Sequence, residues 1–203
     1  MPRLRRLRRA ELPIDTAQLA RFLIGKTLIH DLPSGRSSIR LSGRIVETEA
    51  YPIGDAAGHA FRGHTRANHS LFLERGHAYI HFTYGSCWLF NVTSELPGIG
   101  GGVLVRGIEP VEGVERMTRH RGVSRLFDLT RGPGRLTAAL KIAKSLDGAD
   151  LCAPGALWLG TPVQAVGPIG VATRIGISRE IHRPLRFYER GNPFVSGPKR
   201  LCP

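Results

Sequence analysis

The stretch Arg44–Tyr51, RIVETEAY, constrains the fold more than any other part of this chain. It reads as a strand, and on a strand alternate side chains share a face. Ile45, Glu47, Glu49 and Tyr51 are expected on one face, and Arg44, Val46, Thr48 and Ala50 on the other. Two carboxylates and a tyrosine aligned in a chain of net charge +13 need a reason to be there. A carboxylate repels the polyanions that such a chain attracts, so each is either an ion-pair partner or a chemical tool. One of the two is read here as the tool.

The aromatic run Tyr79–Thr93, YIHFTYGSCWLFNVT, predicts two strands, Ala78–Tyr84 and Cys87–Thr93, joined by a tight turn at Gly85–Ser86. Upstream, Asp15 is placed to cap a helix over Thr16–Leu23 with Leu19, Phe22 and Leu23 on one side. A strand begins at Lys26–His30, a turn covers Pro33–Ser37, and Ser38–Ala50 is strand with a possible bulge at Gly43. Residues 52–76 form a long polar insertion rich in Gly, His and Arg, a length that usually signals function or disorder. Gly102–Ile108 is a further strand, Val111–His120 a helix, and GPGRLTAALKIAKSL a loop entering a helix. Short strands return over 156–190, including GVATRIGI and PLRFYER. Strands and helices mix without βαβ alternation, which predicts an α+β class: a single mixed domain around a curved, largely antiparallel sheet with flanking helices.

Lys and Arg number 29 against 16 Asp and Glu, and all but four of the cations are arginine. Guanidinium forks grip phosphate with two hydrogen bonds, so the first expected partner is nucleic acid. Cys87, Cys152 and Cys202 are widely spaced with no CxxC, which argues against a disulfide framework or a cysteine zinc site. No apolar stretch reaches membrane-spanning length, and no membrane partner is expected. Residues 1–12 are read as a frayed basic arm and 13–203 as the domain proper; the start lacks a secretory apolar region, which predicts a cytoplasmic protein.

RIVETEAY, YIHFTYG, FNVTSE, GVLVRGIEP, GPGRL and PLRFYERGNPFVSG, in this order, resemble the alkyladenine (3-methyladenine) DNA glycosylase family from about Leu19 to Gly197. The resemblance implies a monofunctional base-excision enzyme that flips a damaged purine out of double-stranded DNA and hydrolyses its N-glycosidic bond, as a monomer and with no cofactor. Glu49 matches the catalytic glutamate, and Arg106 the arginine that helps hold its water. A carboxylate suits this work because water is a poor nucleophile and the departing sugar develops oxocarbenium character. Tyr51, His59, His81 and Asn91 match the base pocket, His81 standing where the family often has tyrosine. Tyr84 matches the residue that wedges into the duplex where the base has left. Ile175 and Gly176 match a backbone stretch near the catalytic water. Gly132, Gly134 and Arg135 resemble a loop close to the DNA phosphates.

Glu47 is expected to be structural. Spacing at His59, His64 and His69 invites a metal, but Arg62 and Arg66 would repel it and no acid or cysteine completes a set, so no metal is expected. The lysines are expected away from the pocket, which disfavours Schiff-base chemistry. Two other classes remain to be distinguished: a non-catalytic DNA-binding module, and a glycoside hydrolase using Glu47 and Glu49. The second is disfavoured because carboxylates two residues apart on one strand hardly flank a scissile bond.

Overall fold

The computed structural model describes residues 4–35, 37–83 and 85–197. Helix α1 (Thr16–Leu23) begins at Asp15, whose carboxylate accepts the Gln18 N–H at 2.8 Å, and it buries Leu19, Ala20 and Leu23. Strands β1 (Thr27–Ser34) and β2 (Ser37–Tyr51) pair antiparallel. After the irregular insertion, broken by a 3₁₀ turn at His69–Phe72, come β3 (Ala78–Thr83), β4 (Cys87–Thr93) and β5 (Gly102–Glu112). Helices α2 (Val114–Arg121), α3 (Phe127–Thr130) and α4 (Pro133–Leu140) precede β6 (Leu157–Gly160), β7 (Ile169–Ala172) and β8 (Arg186–Glu189).

The strands form one antiparallel sheet of order β3-β4-β5-β2-β1-β6, with β8 pairing both β2 and β7. The fold is therefore the expected α+β domain on a curled sheet. Alternation along the strands sorts two faces. Ala78, Ile80, Phe90, Val92, Val103 and Val105 join the main core with α1, α2 and α4. Their sequence neighbours Tyr79, His81, Asn91, Leu104 and Arg106 line a cleft on the other face.

Strand β2 departs from strict alternation. Its register against β5 shifts between Ile45 and Glu47 and again between Glu47 and Thr48. Ile45 and Ala50 consequently share the main core, while Val46 joins Tyr188, Phe194 and Val195 in a second cluster. Ile45 thus leaves the glutamate face on which a uniform period of two would put it, because a bulge lets consecutive residues share a side. A further shift lies at Ser42/Gly43, the expected bulge. Along its free edge, β2 exchanges β1 for β8, which pairs with Glu47, Thr48 and Glu49.

Three boundaries differ from expectation. Residues 4–12 are not frayed: Arg6 bridges Gly160, the Leu7 N–H donates to the Leu159 carbonyl at 2.8 Å, and Leu7 and Leu12 are buried. Their apolar side chains outweigh the charge run. Strand β5 runs on to Glu112 because it still pairs with Ser42 and Gly43, which delays α2 to Val114. In GVATRIGI only the beginning is strand, since the chain leaves the ladder after Ala172. Among the described residues no helix is long and apolar enough to cross a membrane.

Candidate active site

Glu49 sits in the middle of the sheet, opposite Leu104 of β5 and Arg186 of β8, and is fully buried. Its Oε1 accepts the Ile175 N–H at 2.7 Å and lies 3.3 Å from Arg106 Nη1. Its Oε2 accepts the Tyr51 hydroxyl at 2.9 Å. Donors on both oxygens fit an ionised carboxylate. Burial pushes the Glu49 carboxyl up from its ordinary range; Arg106, the Ile175 N–H and the Tyr51 hydroxyl oppose that rise, and the Glu47 charge adds to it. The arginine expected to favour the ionised form is present, but burial outweighs it. Burial and Glu49 together raise Tyr51 well above the usual phenol range, so it remains a donor.

Glu47 faces a different set. It accepts from Arg106 Nε at 3.2 Å, Arg186 Nε at 2.8 Å, the Ser196 hydroxyl at 3.0 Å and the Ser196 N–H at 2.7 Å. These bonds leave its carboxylate no open side, in keeping with the structural role expected of it.

The cleft encloses about 1140 Å³, and Tyr51, Arg106, Ile175 and Gly176 line it. Glu49 itself stands behind the first three, which are its hydrogen-bonding and ion-pair partners. The insertion 52–76 brings in His59, whose Nδ1 lies 2.8 Å from the Tyr79 hydroxyl and whose ring lies 4.3 Å from that of His81. Tyr79 stacks on His81 at 5.1 Å. Asn91 Nδ2 donates to the Tyr79 carbonyl at 3.1 Å and lies 3.4 Å from His81 Nδ1. Burial, then His59 and Lys144, push His81 down to about 3, and burial also lowers His59. Both imidazoles are therefore neutral at physiological pH and present uncharged aromatic faces.

The remaining expected residues separate. Tyr84 lies outside the described residues. Gly134 lines the cleft, but a Cβ there would fall 2.8 Å from Cys87 Sγ, so glycine is required for α4 to pack on the β3–β4 hairpin. Gly132 has φ +132°, a backbone region open mainly to glycine. Arg135 does not line the cleft; it pairs with Asp128 at 3.1 Å. His64 packs on Phe72, apart from the His59–Tyr79–His81 cluster. Among the described residues no group of three or more His, Cys, Asp or Glu is placed to hold a metal ion. Lys144 corrects the expectation for the lysines: it lines the cleft, with Nζ held by Asp147 at 2.8 Å and the Ile80 carbonyl at 3.2 Å. The fold returns it there through the 3₁₀ turn Lys144–Leu146, which packs on β3.

Comparison with known proteins decides the family. Residues 10–193 match the methylpurine-DNA glycosylase (MPG) family model. A protein of Mesorhizobium japonicum named "Putative 3-methyladenine DNA glycosylase" is 62% identical over 193 residues, 95% of this chain and 91% of the relative. One of Paraburkholderia phytofirmans with the same name is 53% identical over 195 residues, 96% of this chain and 90% of the relative. The chain belongs to the methylpurine-DNA glycosylase family. It is a DNA glycosylase, a hydrolase of N-glycosidic bonds in base excision repair.

The cleft suits a DNA substrate. Its wall carries Arg62, Arg106, Lys144 and Arg179 and, among the described residues, no Asp or Glu. Sequence reasoning missed several residues of this glycosylase. Tyr79 is one, hidden because a strand aromatic is ordinarily core; its place opposite Asn91 in the hairpin was the available signal. Arg186, which pairs with Glu47 at 2.8 Å, is another, and its only mark was its place in PLRFYER. Asp55 and Arg174 are joined by a buried ion pair of 2.8 Å that no local pattern announces.

Proposed function

We propose that this glycosylase is monofunctional, removes alkylated and deaminated purines from double-stranded DNA, and uses a water activated by Glu49. The observation that carries the reading is the Glu49 carboxylate, held by Ile175, Arg106 and Tyr51 directly behind an aromatic, cationic cleft. The damaged nucleotide is flipped into that cleft and held against Tyr51, His59 and His81. An alkylated purine carrying positive charge gains from the electron-rich Tyr51 face and from histidines that carry no charge. As the C1′–N9 bond breaks, the base takes the bonding electrons and the sugar becomes oxocarbenium-like. Glu49 stabilises that charge and accepts a proton from the water, whose oxygen bonds to C1′. The products are a free base and an abasic site in an unbroken strand.

Asn91, beside His81, discriminates against normal guanine through its exocyclic amine. Ile175 and Gly176 line the approach of the water. By the sequence resemblance, Tyr84 fills the stack that the base vacates. Gly132, Gly134 and Arg135 lie toward the DNA backbone, with Arg135 exchanging Asp128 for phosphate. The enzyme acts as a monomer in the cytoplasm.

The test is single-turnover base release from duplexes carrying one hypoxanthine, one ethenoadenine, or methylated purines, with alkali cleavage to reveal abasic sites. Glu49→Gln should bind damaged duplex and lose nearly all release. Release at the wild-type rate would overturn the mechanism. Tight binding by the wild type without release from any duplex would make the chain a binding module.

A further inference from the structure

We infer that Arg174 and Asp55 are positioning residues that clamp the two hydrogen-bond donors of the Glu49 carboxylate. The inference rests on the reading of Glu49 as the base that activates water. Both side chains are fully buried, and Arg174 Nη2 lies 2.8 Å from Asp55 Oδ2. Arg174 Nη1 donates to the Ala50 carbonyl at 3.0 Å, and its Cζ lies 4.6 Å from the centre of the Tyr51 ring. Its Nε finds no hydrogen-bond partner among the described residues, so that edge of the guanidinium is not held by an acceptor.

Arg174 therefore reaches both groups that donate to Glu49. It grips the peptide before Tyr51 and stacks on the Tyr51 ring, whose hydroxyl bonds Oε2. It also immediately precedes Ile175, whose N–H bonds Oε1. Asp55 extends the clamp to the base pocket. Its Oδ1 accepts the Ala57 N–H and its carbonyl accepts the Gly58 N–H, both at 2.9 Å, which shapes the turn that delivers His59. Arg183 Nη1 closes the cluster at 2.9 Å from Asp55 Oδ2.

A buried ion pair is a poor way to gain stability, since desolvation cancels most of the attraction. Its value here is geometric: donors held rigidly on a carboxylate fix its position and basicity. The charged and titratable groups against Glu49 are Glu47 and Tyr51 on β2 and Arg106 on β5, with Arg186 of β8 opposite it in register; Arg174, beyond β7, reaches it through Tyr51 and Ile175. If the clamp loosens, the donors withdraw and the carboxyl becomes harder to ionise. The acid limb of the rate profile then moves to higher pH.

Arg174→Lys and Asp55→Asn test this beside wild type, Tyr51→Phe and Glu49→Gln. Single-turnover release from a hypoxanthine duplex is followed across pH, with duplex affinity and Tm measured separately. The clamp variants should bind duplex, release base about 10- to 100-fold more slowly, and show the acid limb shifted upward. Combined with Tyr51→Phe, the Arg174→Lys effect should be less than additive, because the part of the clamp that acts through the Tyr51 hydrogen bond is already lost in the phenylalanine variant. An unmoved acid limb in both folded variants, or full additivity with Tyr51→Phe, would overturn the clamp. Normal release by Glu49→Gln would instead refute the role of Glu49, whatever the clamp variants do.

Discussion

Arg106 lies 3.3 Å from Glu49 through Nη1, and the same guanidinium is held from its other side by Glu47, 3.2 Å from Nε. The two glutamates of RIVETEAY thus share one arginine and divide its work. Glu47, whose remaining bonds go to Arg186 and Ser196, holds the cation from one side, and Glu49 meets it from the other. Removing the Glu47 charge leaves Arg186 buried without an acidic partner among the described residues and removes one of the two carboxylates that hold Arg106. Glu47→Gln should lose about 3–5 kcal/mol of stability, read as a lower midpoint in urea denaturation, and should also slow base release. Wild-type stability in that variant would remove Glu47 as the support of the site.

Glu49 should make the opposite trade. Its carboxyl is raised above the ordinary range mainly by burial, so the folded state holds its proton more tightly than the unfolded chain. A group raised in this way contributes stability below its unfolded pKa and loses it as pH rises through the folded value. Glu49→Gln should therefore be at least as thermostable as wild type at pH 8 while inactive, with the difference shrinking toward pH 4. Thermal melts across that range check the sign, and a variant less stable at pH 8 than at pH 4 relative to wild type would contradict it.

His81 should impose an acid sensitivity of its own. Its pKa falls from 6.5 to about 3 on folding, chiefly through burial. Between those values the unfolded chain binds a proton that the folded chain refuses, so stability falls as pH drops through that window. His81→Phe should lose less Tm than wild type between pH 7.5 and pH 5. His59, also lowered by burial, keeps the residual slope from reaching zero. In the wild-type rate profile, no limb near pH 6.5 should belong to His81.

Arg62 and Arg179 on the cleft wall should bind DNA phosphates. Removing one such arginine should lower the slope of log affinity against log salt by about 1. Changing both to alanine should weaken binding to damaged and undamaged duplexes about equally and flatten the slope by about 2. Titrations by fluorescence anisotropy at several salt concentrations measure both effects. An unchanged slope would place the phosphates elsewhere on the surface.

Much of the fold was legible because it follows from local rules. Asp15 caps the helix that its position announces, and the hairpin of β3 and β4 lies where the aromatic run and Gly85–Ser86 put it. Along β3 and β4 the strand alternation holds, with Tyr79 and Asn91 on the cleft and Ile80 and Val92 in the core. It failed at Ile45, where paired register shifts in β2 depend on which strands lie alongside. Arg9 reads as part of a free basic arm; its acidic partners Glu74 and Asp150 become visible only when the chain returns beside it.

By itself the sequence determined the α+β class and the basic character, because period and composition are properties of neighbouring positions; Glu49, Arg106, Tyr51, His59, His81 and Asn91 were marked as residues to watch by the family resemblance of their motifs. Only the tertiary structure decided how Glu49 is held. Its donors come from Tyr51, two residues away, and from Ile175, 126 residues away, and a buried Asp55–Arg174 pair links them. Hydrogen bonding and desolvation depend on spatial proximity, which chain order does not encode locally. The sheet had to close before the balance between burial and donation at that carboxylate existed.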